Sequence, residues 1–339
     1  MWGHSGGLSG MPPSRQRQVD RTVLRYITKR VTQSVPLLIV ISILCFSLIQ
    51  LAPYDAIDTI ATPKMSEASK AALKAEYGLD QPAYVQYWRW ISHMVKGDMG
   101  YSLVNHLSVA DAMKAQLPNT VILVLPAFAL AILIAIVVGL LAGSNRGGRF
   151  DKLVDFLCSL GMATPTFWIG MMLLYIFAYK LALLPVLGMH TMGQEKNWLD
   201  TLQHLILPWT VLTISFLPGT VRFVRSSTIS QYREDYVVVQ QAFGASRHQI
   251  LFRHVIKNVL LPIITLIGYQ LPTLVTGAVI TESIFSWPGM GAYFANAIKA
   301  FDYPVIMAVM LFSSAMVIIG NLLADVCYCL VDPRIKSMG

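Results

Sequence analysis

The sequence predicts an all-α, polytopic membrane protein with six transmembrane helices. Of its 339 residues, 55% are hydrophobic and only 13% are charged, about half the charged fraction of a soluble domain. The mean hydropathy is +0.56, and six uncharged stretches are each long enough to cross a bilayer core of about 30 Å. Backbone groups in lipid must bond within their own segment, so these stretches are predicted to be helices. This composition excludes an ordinary soluble enzyme and a disordered chain.

The N-terminal region is polar and basic. Residues 1–20 are predicted to be a flexible cytoplasmic extension, because they contain Gly-Gly-Leu-Ser-Gly and Pro12-Pro13. Residues 21–32 are expected to form an interfacial amphipathic helix, with apolar side chains on one face and basic ones elsewhere. The alternative for 21–32 is a basic stop before the first span. So long a polar stretch argues against a cleavable signal peptide.

The transmembrane domain is predicted over residues 33–326. Its spans are expected near residues 33–53, 119–142, 156–179, 203–221, 258–281 and 303–324. An outer loop of residues 53–118, an inner loop of residues 225–257 and a C-terminal cytoplasmic tail of residues 327–339 complete the expected layout.

The distribution of Lys and Arg predicts the orientation. With the N-terminus in the cytoplasm, most of the 26 basic residues fall on the inner side, as the positive-inside rule requires. Both termini are then cytoplasmic. The formal net charge of +8 is therefore explained by the membrane topology and by contact of basic residues with anionic lipid. Nucleic acid is not expected as a partner.

No cofactor or metal site is predicted on this chain. Cys45 and Cys158 lie inside spans, and Cys327 and Cys329 are too close along a helix to face each other. No pair of cysteines has a metal-binding spacing, so all four are interpreted as reduced packing residues.

The sequence gives little support for an enzyme. Residues 3–7 match the G-x-S-x-G pattern of serine hydrolases, which keeps an intramembrane serine hydrolase as a remote alternative, but they precede any strand-to-helix elbow. No Gly-Lys dipeptide occurs, so no phosphate-binding Walker A loop is present. An ion-gradient carrier is the other remote alternative, although the spans lack the ionisable groups that such carriers use. Energy for any transport must then come from another chain.

Polar, uncharged side chains in the fourth and fifth spans are candidates for the lining of a transport pathway. Hydrogen bonding between helices explains them about as well. These candidates are Thr213, Ser215, Tyr269, Gln270, Thr273 and Thr276.

The inner loop between the fourth and fifth spans is too polar for a span and too apolar for a free linker. Gly244 lies at a predicted helix-to-helix turn, where a positive φ or a close backbone approach favours glycine. After it, a helical apolar face opposes a basic one, a pattern that indicates a partner surface. The apolar face holds Ile250, Leu251, Phe252, Val255 and Val259, and the basic face holds Arg247, Arg253 and Lys257.

Several segments together resemble one family, the first permease of bacterial ATP-binding-cassette (ABC) importers for oligopeptides and dipeptides. In that family the inner loop has a glycine followed eighteen residues later by proline, as do Gly244 and Pro262 here. The other matches run in family order from about residue 22 to residue 336. They are 77–82 (YGLDQP), 85–90 (VQYWRW), 96–102 (KGDMGYS), 117–120 (LPNT), 205–208 (LILP), 281–291 (TESIFSWPGMG), 302–304 (DYP) and 331–335 (VDPRI).

The resemblance implies a type I ABC importer transmembrane domain, also called MetI-like, located in the bacterial plasma membrane. It implies a homologous second permease, two cytoplasmic ATPases that bind ATP and Mg, an external substrate-binding protein and a peptide substrate. Nickel, a metal chelate or glutathione are alternative cargoes within the same architecture. It also implies that the inner loop forms a coupling helix against an ATPase, through Gln241, Ala242, Phe243, Gly244, Ala245, Ser246 and Arg247.

Two departures from the family pattern concern this chain's partners. Val238, Gln241 and Phe243 occupy positions where the family usually has basic residues, and the first span ends in LAPYD rather than in a Pro-Gly-Asp-Pro turn. These departures are expected to affect which ATPase binds the chain and how strongly it binds.

The outer loop contains an aromatic cluster at Tyr84, Tyr87, Trp88 and Trp90. Such side chains favour the boundary between membrane and water, so anchoring at the lipid surface is one interpretation. The resemblance suggests the other, a rim on which the substrate-binding protein docks.

Overall fold

The helices account for most of the chain. The structure, a computed structural model, describes residues 13–51, 65–76, 78–270 and 278–331. The helices, in chain order, are α1 (Pro13–Gln50), α2 (Glu67–Glu76), α3 (Ala83–Val95), α4 (Val109–Ser144), α5 (Arg149–Ala163), α6 (Thr166–Leu173), α7 (Trp198–Gln231), α8 (Asp235–Ala242), α9 (Arg247–Ile250), α10 (Ile256–Gln270), α11 (Val279–Ile284), α12 (Met290–Lys299) and α13 (Tyr303–Val331). Two π-helical stretches, Leu174–Lys180 and Leu251–Val255, follow α6 and α9.

The centre of the bundle is the pair α4 and α7, which run side by side over most of their length. Gly139 and Gly143 allow this approach. A Cβ on Gly139 would lie 2.7 Å from the Cβ of Val224, and one on Gly143 would lie 2.6 Å from the Cβ of Thr228. Small residues at such contacts are typical of helix packing in membranes, where dispersion contacts replace the hydrophobic effect as the driving force.

The apolar helices confirm the predicted membrane architecture. Within the described residues, four helices are long and apolar enough to span a bilayer: the 32–50 part of α1, α4, α7 and the 303–323 part of α13. The pair α5 and α6, with its π-helical extension, makes a fifth candidate if it is counted as one span. The predicted total of six spans stays a prediction, since part of the fifth predicted span, residues 271–277, lies outside the described residues.

The third predicted span is not a straight helix over 156–179. It is split into α5 and α6, with a bend of 93° between them. The break falls at Thr164, whose ψ of 122° is extended, and Pro165 follows it. Proline clashes with a helical conformation of the preceding residue and lacks the N–H that would continue the ladder, so the helix ends here.

The N-terminal expectation is wrong for residues 13–20. These residues were expected to be flexible and 21–32 to be a separate helix, but α1 runs without interruption from Pro13 to Gln50. No glycine or proline occurs between Pro13 and Pro36, and proline is tolerated in a first turn, where its missing N–H has no partner to lose. Residues 1–12, including the G-x-S-x-G match, lie outside the described residues.

Three helices also extend into segments that were predicted to be loop or tail. Residues 109–118, assigned to the outer loop, belong to α4, and residues 225–231 of the inner loop extend α7. The helix α13 runs to Val331, past the predicted start of the tail at residue 327, and residues 332–339 lie outside the described residues. Helices continue beyond the apolar core because the flanking polar residues still satisfy their backbone bonds within the helix.

Buried carboxylates join the elements at one end of the bundle, here called the Glu282 end. Glu282 on α11 is completely buried; its Oε1 accepts a hydrogen bond from Thr120 Oγ1 (2.9 Å) and its Oε2 accepts one from the Ala292 N–H (2.8 Å). Thr120 Oγ1 in turn accepts from the Met290 N–H at 2.8 Å. One side chain therefore ties α4, α11 and α12 together.

A second carboxylate at the same end holds the loop that precedes α4. Asp302 is buried, accepts a hydrogen bond from the Leu103 N–H at 3.1 Å and accepts another from the Ser102 hydroxyl. The thiols of Cys45 and Cys158 are free and buried, as predicted, whereas the side chains of Cys327 and Cys329 lie outside the described residues.

Candidate functional site

The segment between α7 and α10 lies at the other end of the bundle and contains the short helix α8. The backbone conformation that ends α8 favours glycine. Gly244 has φ +78°, its N–H donates to the Gln241 carbonyl (2.9 Å), and the Ala245 N–H donates to the Gln240 carbonyl (3.0 Å). This pair of bonds is a Schellman motif, in which the residue after the helix adopts the left-handed conformation. The predicted positive φ at Gly244 is confirmed.

The next helix begins at once, through a capping box. The Gln249 N–H donates to Ser246 Oγ (3.3 Å), and the Ser246 N–H donates to Gln249 Oε1 (2.9 Å). Such reciprocal bonds satisfy two backbone donors of a helix start. With both caps made, only Phe243, Gly244 and Ala245 separate the end of α8 from the Ser246 cap, so the two helices meet at a well-defined corner.

One side chain anchors α8 on the bundle. Val237 is 1% exposed and belongs to an apolar cluster with Ile250, Leu251 and residues of α4, α5 and α7. Tyr232 and Tyr236 pack against this cluster, and the Tyr236 hydroxyl donates to Gln231 Oε1 at 3.0 Å. Burial raises the pKa of the Tyr232 phenol, and its hydroxyl donates a long hydrogen bond to the Arg247 carbonyl at 3.4 Å.

The outward side of α8 is apolar but uncovered. Phe243 is 83% exposed, Val238 60% and Val239 48%, and Ala242 is exposed beside them. We call these four residues the α8 rim. Contiguous apolar side chains on the surface of a polar segment mark a contact with another protein or a membrane. Of the remaining predicted coupling residues, Gln241, Gly244, Ser246 and Arg247 are also exposed, and Ala245 is half-buried.

The amphipathic pattern after Gly244 is largely confirmed. Ile250, Leu251, Val255 and Val259 are buried in the same apolar cluster, whereas Arg247, Arg253 and Lys257 are exposed. Phe252 is the exception, because it is 46% exposed and not on the buried face; its ring lies 4.5 Å from that of His248. The π-helical stretch over Leu251–Val255 changes the angular spacing of the side chains, which a regular helical period does not anticipate.

Comparison with known protein families identifies the family of this chain. Residues 135–337 match the family described as "binding-protein-dependent transport system inner membrane component", and residues 23–124 match the N-terminal domain described for the same membrane components. The chain belongs to this family. It is a membrane-spanning permease component of a binding-protein-dependent transport system.

Curated relatives cover nearly the whole of this permease component. The oligopeptide transport system permease protein AppB of Bacillus subtilis is 38% identical over 312 residues, which are 92% of this chain and 99% of the relative. The dipeptide transport system permease protein DppB of Escherichia coli is 34% identical over 336 residues, with 93% and 99% covered. The glutathione transport system permease protein GsiC of Salmonella paratyphi A is 32% identical over 314 residues, with 93% and 99% covered.

A cluster of charged residues beside the α8 segment of the permease component was missed from the sequence. Asp151, at the start of α5, is 3% exposed and makes a two-pronged ion pair with Arg225 of α7, in which Nη2 and Oδ2 are 2.8 Å apart. Asp151 Oδ2 also accepts a hydrogen bond from the Gly147 N–H at 2.8 Å. The only signal in the sequence is an acidic residue in a first helical turn, and it does not identify a partner 74 residues away.

The pathway candidates of the permease component separate into three cases. Thr213 is buried and its hydroxyl donates to the Ala127 carbonyl at 3.3 Å, so it joins α7 to α4. Ser215 is exposed and lies 3.2 Å from the hydroxyl of Thr166, beside the bend between α5 and α6. Thr273, Thr276 and the side chains of Tyr269 and Gln270 lie outside the described residues.

Metal binding has no visible basis in the described part of the permease component. There, no three His, Cys, Asp or Glu side chains come together closely enough to hold an ion. The expected lack of a cofactor stays a prediction.

Proposed function

We propose that this chain is the first permease of an ATP-driven importer for oligopeptides or dipeptides. The relatives whose printed names carry those cargoes match it over nearly their whole length. In this proposal the chain forms a translocation pathway at its interface with a homologous second permease. Two ATPases on the cytoplasmic side supply the energy, and an external binding protein delivers the peptide.

The α8 rim is the observation that carries the proposal. The helix has a buried anchor at Val237, an exposed apolar surface at Val238, Val239 and Phe243, and a corner fixed by Gly244. A rigid, apolar projection of this kind fits a cleft in a partner protein. We assign that partner as the ATPase, with Gln241–Arg247 at the contact, where Phe243 contributes apolar area in place of the basic side chain usual in the family.

The contacts of Val237 can transmit a movement of α8 to the membrane helices. A displacement of α8 acts on Val237 and, through the shared apolar cluster, on Ile250 and Leu251 at the start of the α9–α10 helix. Close-packed clusters move as units rather than deforming continuously. Closure of the ATPase pair on ATP would thus shift α10 and α7 between inward- and outward-facing arrangements, and hydrolysis would reset them.

This proposal places the chain in the plasma membrane with both termini and α8 in the cytoplasm. The excess of Lys and Arg on that side supports the orientation. ATP and Mg belong to the partner ATPases, and we assign no catalysis to this chain. On the pathway we place Ser215, which is exposed, and Thr166, which is half-buried; both are polar and uncharged.

Substitution of the rim tests the coupling role. Phe243→Ser removes the most exposed rim side chain and should weaken ATPase co-purification about 10- to 100-fold, the range of an interface hot spot. Val95→Ser is the matched control: its side chain is similarly exposed, at 81%, but it ends α3 at the far end of the bundle. Unchanged ATPase binding and substrate-stimulated hydrolysis in both Phe243→Ser and Gly244→Pro would reject the coupling role.

Glutathione is the second cargo to be tested, because one relative is named for it. Nickel or a metal chelate follow in the same assay. Uptake of a labelled dipeptide, a pentapeptide, glutathione and a nickel chelate is measured in cells whose only importer of this class contains this chain. Peptide uptake that is lost when the ATPases are deleted supports the proposal, and uptake of only glutathione or the chelate reassigns the cargo.

A further inference from the structure

A cavity of about 580 Å³ lies at the Glu282 end of the bundle, away from α8. Its walls come from α3, from the loops around Gly78 and residues 98–106, and from the ends of α1 and α13. The volume is within the range of small-molecule sites, roughly 300–1,000 Å³. The proposed coupling mechanism makes no use of it.

One side of the cavity is apolar and is formed by the membrane helices. Phe46 near the end of α1 stacks on Trp90 of α3, with ring centroids 6.1 Å apart. Pro304 and Met307, from the first turns of α13, continue this surface. Tyr87 also contacts Phe46, whereas Tyr84 and Trp88 of the same aromatic cluster are exposed. The apolar side therefore lies at the C-terminal part of α1 and the N-terminal part of α13, two helices of the membrane domain.

The other side carries a positive charge, that of Arg89. The guanidinium of Arg89 lies against Gly78, in the space that a Cβ on residue 78 would occupy. It makes no hydrogen bond or ion pair with any residue that the structure describes. Asp98, an acidic side chain in the wall, is already engaged: Oδ2 lies 2.8 Å from His93 Nδ1, and Oδ1 accepts the Gly100 N–H at 3.1 Å. Among the described residues, no acidic side chain therefore occupies the guanidinium of Arg89.

We propose that this cavity binds one phospholipid of the surrounding membrane, with the phosphate on Arg89 and an acyl chain over Phe46 and Met307. Arginine binds phosphate through two parallel N–H donors, and basic pockets between membrane helices bind lipid head groups. The cavity offers the two chemistries of an amphiphile, an anion site at Arg89 and an apolar wall at Phe46 and Met307.

The position of α1 favours lipid over a peptide. This helix packs on α13 and α3, and its side chains Leu44 and Leu48 are 56% and 62% exposed, as on a lipid-facing helix. A short peptide could place its carboxylate on Arg89, but its backbone amides would then lie against Phe46 and Met307 without partners, which costs free energy. The site is independent of the cargo proposed above.

The test is lipid retention by the intact transporter. The complex is purified in detergent, titrated with phosphatidylglycerol and analysed by native mass spectrometry, which counts bound lipids. Arg89→Gln should weaken retention of one lipid about 10- to 100-fold, the effect expected for loss of charge-assisted hydrogen bonds. Arg89→Lys, which keeps the charge, should retain most of the binding, and Met307→Trp, which fills the apolar side, should reduce it.

Lys96→Gln is the matched control, because it removes an exposed positive charge just after α3 without altering the cavity wall. The proposal is overturned if Arg89→Gln retains lipid as the unmodified complex does, or if Lys96→Gln loses it to the same extent. It is also overturned if the bound mass is a peptide, or if inorganic phosphate alone displaces the lipid, since the apolar side would then have no part. A melting midpoint equal to that of the unmodified complex shows that each variant is folded.

Discussion

At the Glu282 end of the bundle, polar groups are buried and paired with other parts of the same chain, whereas at the α8 end apolar groups are exposed and unpaired. Glu282 has no exposed surface and binds groups from α4 and α12. The helix α8 is held by Val237, and Phe243 is 83% exposed. The first arrangement holds elements of one chain together, and the second is suited to a contact made and released with another chain.

This difference between the two ends indicates which residues stabilise the fold and which bind another chain. A buried hydrogen-bonded carboxylate has a large cost when it is removed, because its partners remain buried without an acceptor. Substitution of an exposed apolar side chain hardly changes folding stability but can strongly weaken binding to a partner. Substitutions at the Glu282 end should therefore change stability, and substitutions on the α8 rim should change assembly.

Glu282→Ala should have the largest effect on stability. It leaves the Ala292 N–H without its acceptor and the Thr120 hydroxyl without its partner, and it opens a cavity. Each buried donor left without an acceptor costs about 1–3 kcal/mol, and the cavity adds to this loss. The thermal unfolding midpoint in detergent measures this loss. Glu234→Ala, at an exposed position just before α8, is the control and should change the stability by less than about 0.5 kcal/mol.

Two adjacent valines give a sharper contrast. Val237 is 1% exposed and Val238 is 60% exposed, so the same substitution tests burial alone. Val237→Ala should destabilise the chain by about 2 kcal/mol, because it leaves a cavity in the cluster under α8. Val238→Ala should leave the unfolding midpoint unchanged and weaken ATPase binding several-fold. Equal unfolding midpoints for the two variants would contradict the assignment of Val237 as the anchor.

The local patterns of the sequence predicted the α8 segment better than its surroundings. Gly244 was identified because few other residues accept a positive φ, and the apolar spacing at Ile250, Leu251, Val255 and Val259 identified the buried face. These are properties of neighbouring residues. The position of Phe252 was mispredicted, because a π-helical stretch changes the period only when the chain is packed.

Features that depend on distant residues were not predicted. The hydroxyl of Thr213 makes the bond between helices that was the alternative to a pathway role, but its partner, the Ala127 carbonyl 86 positions earlier, was not predicted. Glu282 lay in a recognised motif, yet nothing nearby in the sequence indicated that Thr120 would be its partner. The apolar runs likewise located the membrane segments, but the proline positions alone did not distinguish the 93° bend at Pro165 from the continuous helix at Pro126.

The corner at Gly244 should respond to backbone strain alone. No atom lies within 4 Å of a Cβ built there, so Gly244→Ala creates no clash, and the positive φ accounts for its cost of about 1–2 kcal/mol. Gly244→Asn should cost less, since asparagine tolerates this conformation. Gly219→Ala is the control, because it is equally uncrowded but lies inside α7, where alanine favours the helix. Equal losses at Gly244 and Gly219 would rule out strain as the cause.

Asp98 should produce the smallest effect, and one that depends on pH. The hydrogen bond with His93 and the Gly100 N–H hold the pKa of the Asp98 carboxyl below its usual range. A carboxyl with a lowered pKa in the folded state stabilises that state above its unfolded pKa of about 4, and the contribution is lost as the pH falls through the folded value. Both side chains are 56% exposed, so solvent screening limits the contribution to less than about 1 kcal/mol.

Unfolding midpoints from pH 7 to pH 3 measure this contribution in the unmodified chain and in Asp98→Asn. The two curves should differ slightly at pH 7 and approach each other as the pH falls below about 4, because protonation of Asp98 removes its contribution whereas the amide of Asp98→Asn does not titrate. His93→Gln, which removes the larger of the two causes, should narrow the difference at pH 7. Curves that stay parallel down to pH 3 would mean that the bonds to Asp98 do not favour its charged form, and the wall of the cavity beside Arg89 would then be less acidic than its geometry indicates.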